Sequence, residues 1–125
     1  MEKVAIVNLD ENGHFHGEVN GKGFDITATG LRAVDLMLIS VGYCFGLTVE
    51  AYTNHKGYKI ENLKIEVVGK KHEKENRYDE ITIKVSFDSD LDEKQIARVM
   101  EIGKRGCTVS NTMLKPPVIK TEFIK

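Results

Sequence analysis

The sequence holds no tryptophan, two prolines and two cysteines among its 125 residues. Two cysteines cannot form the dense disulfide scaffold of a small secreted domain; in a reducing compartment such a pair is redox-active, metal-binding or simply buried. Charge of one sign is missing too, since 18 Lys and Arg meet 19 Asp and Glu for a formal net charge of −1. Without a sustained basic stripe there is no footprint for nucleic acid, and the densest run, Lys70 to Glu75, alternates in sign as a solvated hairpin tip does. No basic leader with an apolar stretch and a cleavage site opens the chain, so the expectation is a cytoplasmic protein. The uncharged apolar stretch from Leu36 to Val49 is shorter than the roughly 18 to 20 residues a bilayer requires, so no membrane span is expected. Dinucleotide, phosphate-loop and serine-elbow motifs are absent. His14 and His16 alternate on one strand, but no HxxxH or CxxC spacing accompanies them, and no metal site is expected.

With 41% hydrophobic and 30% charged residues, the composition is that of an ordinary folded domain, and the length suits a single domain over 1–125. Val4, Ile6 and Leu9, then Phe15 to Val19, alternate as two strands around the turn Asp10-Glu11-Asn12-Gly13. Asn20-Gly21 marks the next turn, and Phe24, Ile26 and Ala28 predict a third strand ending at Thr29-Gly30. From Ala33 to about Tyr52 apolar residues cover every face of a helix, which must be buried all round. Leu63, Ile65, Val67 and Ile81, Ile83, Val85, Phe87 predict a long hairpin, and Asp92 to Arg105 an amphipathic helix. A short helical piece from Cys107 to Leu114 precedes Pro116-Pro117, and Val118 to Ile124 alternates as a last strand. The order βββ-α-ββ-α-α-β groups strands in runs, so the fold class is α+β with mainly antiparallel sheets around a long buried central helix. A domain this small has few elements to surround such a helix, which predicts a homodimer whose second subunit covers part of it.

Cys44 stands in Gly42-Tyr43-Cys44-Phe45-Gly46, where each glycine weakens the helix by about 1 kcal/mol relative to alanine. Either another backbone approaches closely there, or space is left beside the sulfur; an inert core thiol is the alternative. Cys107 follows Gly106 at the start of a new helical turn, with Lys104 and Arg105 close in sequence, a position that favours a thiolate; a small residue filling a helix junction is the plainer reading.

Asp35-Leu36-Met37-Leu38 with Gly42-Tyr43-Cys44 resembles the first-cysteine helix of OsmC/Ohr proteins. Gly106-Cys107-Thr108-Val109-Ser110-Asn111-Thr112-Met113-Leu114 is similar to that family's Cys-x-Val-Ser-x-Thr-Leu segment, and the separation of the two cysteines and the element order agree. The resemblance implies an intertwined homodimer that reduces small organic hydroperoxides without haem, flavin or metal, so no cofactor is expected. It implies that Cys44 attacks the peroxide, that Cys107 condenses with the resulting sulfenic acid, and that an external dithiol reduces the disulfide. Met37, Val41, Phe45 and Leu47 would line an apolar substrate pocket.

Two features depart from the better-characterised peroxidases of that family. No arginine precedes Arg32, and Val34 stands ten positions before Cys44 where the Ohr branch has glutamate, with Asp35 next door. Nine residues at about 100° each place Asp35 on the opposite helix face from Cys44, about 13.5 Å along the axis, so any action on a Cys44 would be on that of a second subunit. Otherwise Asp35 sits in the first helical turn and favours the helix dipole. The missing arginine keeps open a non-enzymatic member that binds a small apolar ligand or senses oxidation in the same pocket.

Overall fold

The computed structural model describes residues 2–124. The chain is organised as two compact units, Met1–Leu36 and Met37–Lys125. In the first, β1 (Ala5–Leu9), β2 (Phe15–Val19) and β3 (Lys22–Asp25) form an antiparallel sheet in that order. Turn chemistry sets its register. The Asp10 carboxylate accepts the backbone N–H groups of Asn12 and His14 at 2.8 and 3.0 Å, which closes the first hairpin with Leu9 opposite Phe15. Asn20 and Gly21 both take positive φ, 54° and 77°, the turn geometry whose twist suits a two-residue hairpin loop, and Val19 pairs with Lys22.

The third strand, expected to reach Ala28, stops at Asp25. One oxygen of the Asp25 carboxylate accepts the Ala28 N–H at 3.0 Å and caps a single helical turn, α1 (Ile26–Thr29). The other oxygen lies 2.7 Å from His14 Nδ1. A side chain that competes with the ladder for backbone donors has truncated the strand. α2 (Ala33–Lys56) then begins, and the Asp35 carboxylate accepts the Arg32 N–H at 2.8 Å across its first turn.

The second unit holds most of α2, which runs past the expected end near Tyr52 to Lys56. Its buried residues Val41, Phe45, Val49 and Thr53 recur every four positions and make one stripe. β4 (Ile60–Lys71) and β5 (Tyr78–Ser89) form a two-stranded antiparallel sheet, with Ile65 opposite Val85 and Val67 opposite Ile83. Asn62, at φ 56°, lies in a register shift that brings Ile60 and Leu63 to the same half-buried face. α3 (Glu93–Gly106) opens with a reciprocal cap: the Asp92 carboxylate accepts the Gln95 N–H at 2.8 Å, and the Gln95 side chain accepts the Asp92 N–H at 3.0 Å. Cys107 closes α3 and begins α4 (Thr108–Leu114). Phe45, Val49, Val99 and Cys107 form the buried core, against which Leu63, Ile65, Ile83, Val85 and Phe87 pack.

Within this chain α2 is covered along one stripe, and Ile39, Tyr43 and Leu47, outside that stripe, are 54%, 68% and 47% exposed, as expected of a helix that one subunit alone does not surround. By length and composition α2 could cross a membrane, but its inward stripe carries the core of this unit, as in a soluble protein. One further expectation is corrected: the last strand is absent among the described residues. Residues 115–124 form neither helix nor strand, and Val118, Ile119, Phe123 and Ile124 are exposed. Alternation alone does not make a strand; the segment pairs with no edge among the described residues. The observed order is βββ-α-α-ββ-α-α, still α+β and antiparallel.

The His14–Asp25 contact ties the turn before the middle strand to the α1 cap and makes that link sensitive to pH. The Asp25 hydrogen bond raises the His14 pKa above 6.5, and the same bond, followed by that from the Ala28 N–H, lowers the Asp25 pKa. Asp10 is held down to about 2, chiefly by the His14 N–H and then by the His16 side chain. A raised histidine stabilises the fold below 6.5 and loses that contribution as pH climbs through its folded value, whereas lowered carboxylates lose theirs as pH falls below 3.8. The hairpin should therefore be best held between these limits. In an NMR titration His14 should have a midpoint above 6.5 that returns toward 6.5 in Asp25→Asn; an unchanged midpoint in that variant would show that the pair does not carry the effect.

Candidate functional site

Within the second unit Cys107 lies against the turn of α2 that runs from Val41 to Cys44. Cys107 is fully buried, and its Sγ lies 3.9 Å from the carbonyl oxygen of Val41. Cys44 follows Val41 by three positions, and helical side chains lean toward the N-terminus, so its half-buried thiol covers the turn that Val41 begins. Cys44 also packs against the core cluster that contains Cys107. Both cysteines are free thiols.

Thr48, one turn beyond Cys44, joins the two segments. Its hydroxyl stands 3.0 Å from the Cys44 carbonyl and 3.1 Å from the Gly106 carbonyl, the residue just before Cys107. Such an approach leaves no room for side chains on α3. A Cβ on Gly106 would meet Thr48 Cγ2 at 2.5 Å, and one on Gly103 would meet the Phe45 ring at 2.6 Å. Phe45 and Thr48, three apart on α2, thus rest on Gly103 and Gly106, three apart on α3. Gly106 therefore does more than end a helix; it is where the second cysteine's backbone comes against the first cysteine's helix.

The sulfur of Cys107 has a second neighbour. Ser110 Oγ–H donates to Cys107 Sγ at 3.1 Å, from the same side of α4. That helix is held in place by the Asn111 N–H on the Cys107 carbonyl at 2.9 Å and by Asn111 Nδ2 on the Arg105 carbonyl at 2.9 Å. Arg105, which neighbours Cys107 in sequence, is turned elsewhere. The Arg105 guanidinium pairs with Glu101 at 2.7 Å, and Arg98 with the same carboxylate at 3.0 Å.

The glycines flanking Cys44 serve packing. A Cβ on Gly42 would touch Val67 Cγ2, and one on Gly46 would touch Ile65 Cδ1, each at 3.0 Å, so both face β4 rather than the sulfur. The residues expected to line a substrate pocket are divided: Val41 and Phe45 are core, Met37 is half-buried, and Leu47 is exposed about 200° around the helix from Phe45. An open groove in this unit, about 410 Å³, is lined by Leu38, Ile39, Gly42, Tyr43, Leu63, Ile65 and Val67. Asp35 is exposed and engaged at the start of its helix. No cluster of three or more metal-ligating side chains occurs among the described residues.

Thr48, Gly103 and Ser110 were not singled out by sequence reasoning. The available signals were the four-residue step from Cys44 to Thr48, the equal spacing of the two glycines, and the place of Ser110 one helical turn after Cys107. Gly106→Ala should lower stability by about 1 to 3 kcal/mol through overpacking, and Gly106→Ala with Thr48→Ser should recover part of that loss. Urea unfolding checks this; equal midpoints for Gly106→Ala and wild type would show that the close contact is not tight.

The model of the family described as OsmC-like protein matches residues 26–122. No curated protein matches the sequence at a significant level. Among solved structures, an OsmC-like protein from Mycoplasma pneumoniae superposes with a TM-score of 0.77 at 17% identity, covering 93% of this chain and 89% of its own. A hypothetical protein from Aquifex aeolicus VF5 gives 0.77 at 26% identity, with the same two coverages of 93% and 89%. The organic hydroperoxide resistance protein OhrB of Bacillus subtilis gives 0.54 at 18% identity, covering 90% of each chain. With the α2 helix and the α3–α4 junction both inside the matched span, the chain belongs to the OsmC-like protein family.

Proposed function

We propose that this protein reduces organic hydroperoxides with Cys44 as the attacking thiol and Cys107 as its resolving partner. The observation that carries the reading is the position of the Cys107 sulfur against the Val41 carbonyl, on the turn that Cys44 covers. Family membership supports a peroxide-related role in oxidative-stress defence. In the reaction the Cys44 thiolate attacks the terminal peroxide oxygen, the O–O bond breaks, and the alkoxide takes a proton and leaves as an alcohol. Cys107 then attacks the sulfenic sulfur, the S–S bond forms and water departs. An external dithiol restores both thiols, a step suited to a reducing cytoplasm.

The pathway uses residues of this chain alone, without a bound cofactor or metal. The partners are a small organic hydroperoxide, the reductant and a second copy of the chain. For the dimer, support comes from α2: Ile39 and Tyr43 are more than half exposed and border the apolar groove beside β4. A subunit laid on that face would complete the burial that the helix's composition demands.

A second reading, binding of a small apolar ligand without turnover, is favoured by the same groove, which lies on the α2 face away from Cys44. Stopped-flow mixing with cumene hydroperoxide separates the two. Wild type should consume the peroxide and form a Cys44–Cys107 disulfide, and Cys44→Ser should abolish consumption; thiol-independent or absent turnover in the wild type would overturn the peroxidase reading. In sedimentation velocity, wild type should run as a dimer and Tyr43→Asp should shift it toward monomer. A wild type that is monomeric at tens of micromolar removes the second subunit from the proposal.

A further inference from the structure

Ser110 and the burial of Cys107 together bear on the step that returns the oxidised protein to its thiols. We propose that the disulfide is opened by attack of an external thiolate on the Cys44 sulfur, with Cys107 expelled as a thiolate that the Ser110 hydroxyl receives. The inference rests on the pairing of the two cysteines and adds to it a direction of attack and a donor to the leaving sulfur.

Access argues for the direction. Cys107 is 0% exposed, whereas Cys44 is only half-buried, so an incoming thiol reaches one sulfur and not the other. Exchange requires the nucleophile to approach in line with the bond that breaks, and an approach to Cys44 from outside leaves Cys107 on the inner side, where its sulfur already has a place. The hydrogen-bond inventory around that sulfur agrees. As a thiol, Cys107 donates weakly to the Val41 carbonyl at 3.9 Å and accepts from Ser110 at 3.1 Å. As a thiolate it has no proton for Val41, and the Ser110 O–H remains as its donor. Hydrogen bonds to an ionised acceptor are about twice as strong as neutral ones, so this contact strengthens as the S–S bond breaks. The donor is preplaced: Ser110 lies on α4, which the Asn111 contacts to Cys107 and Arg105 hold, while Thr48 holds Gly106.

The exchange balances. A thiolate of the external dithiol bonds to Cys44 Sγ, the Cys44–Cys107 bond breaks, and its electron pair leaves on Cys107 Sγ. The second thiol of the reductant then loses its proton and attacks the first, closing a disulfide within the reductant and releasing Cys44 as a thiolate. Two electrons have passed from the dithiol to the protein; the two protons that the dithiol gives up go to solvent, from which the Cys44 and Cys107 thiolates are reprotonated.

The test begins with wild-type protein oxidised by diamide, so that the disulfide is made without relying on peroxide. A substoichiometric pulse of glutathione, quenched in acid, should give a mixed disulfide that peptide mapping places on Cys44, with Cys107 free. Glutathione found on Cys107 overturns the proposal. With dithiothreitol as reductant, Ser110→Ala should slow opening of the disulfide by about tenfold, while the rate at which peroxide converts Cys44 to its sulfenic acid stays unchanged and Ser110→Thr retains the wild-type opening rate. An unaltered opening rate in Ser110→Ala, or equal slowing of both half-reactions, shows that the hydroxyl only fills space. Failure of diamide to link the two cysteines at all would remove the pairing itself, a result distinct from a disulfide that forms and is opened at the wrong sulfur.

Discussion

The hydroxyl of Thr48 lies between two carbonyl oxygens, that of Cys44 at 3.0 Å and that of Gly106 at 3.1 Å, and the geometry of the second unit follows from this approach. It requires a bare Cα at Gly106 and, one turn earlier, at Gly103, where the Phe45 ring occupies the space a side chain would take. Through it the backbone that leads into Cys107 is held on the helix that carries Cys44. Were α3 to stand off by the thickness of a methyl group, the Cys107 sulfur would lose the Val41 carbonyl, and the core formed by Phe45, Val49, Val99 and Cys107 would open.

The cost of this arrangement is spread through α2. Two glycines in mid-helix are unfavourable on propensity, yet each admits a β4 side chain, Val67 beside Gly42 and Ile65 beside Gly46. The helix is therefore pressed from two sides, by the sheet along its glycines and by α3 along Phe45 and Thr48. Cys44 sits on the edge of the second contact, which explains how a thiol in so apolar a helix remains half-buried rather than sealed.

Much of the architecture was legible in the order of the residues because alternation and helical periodicity report which side of an element is apolar. The first two strands, the β4–β5 hairpin, the amphipathic α3 and its end close to Gly106 all follow from local pattern and turn chemistry. The strand expected through Ala28 failed because Asp25 offered its carboxylate to the backbone, a competition that a hydrophobic pattern does not register. The strand expected at Val118 to Ile124 failed for another reason: pairing needs an edge, and alternation says nothing of whether one is in reach. This chain meets the burial expected of α2 along one stripe only, because hydrophobicity tells how much surface seeks cover and not what supplies it.

What the amino-acid order determined by itself was most of the elements, the α+β class and the two cysteines worth attention, since each depends on neighbours a few positions away. The tertiary structure alone decided that Cys107 is buried against the turn before Cys44, that Ser110 donates to its sulfur, and that Arg105 turns to Glu101. Contacts of that kind join residues far apart in the chain, and their distances depend on side-chain volumes and backbone approach summed over several elements, which no local pattern encodes.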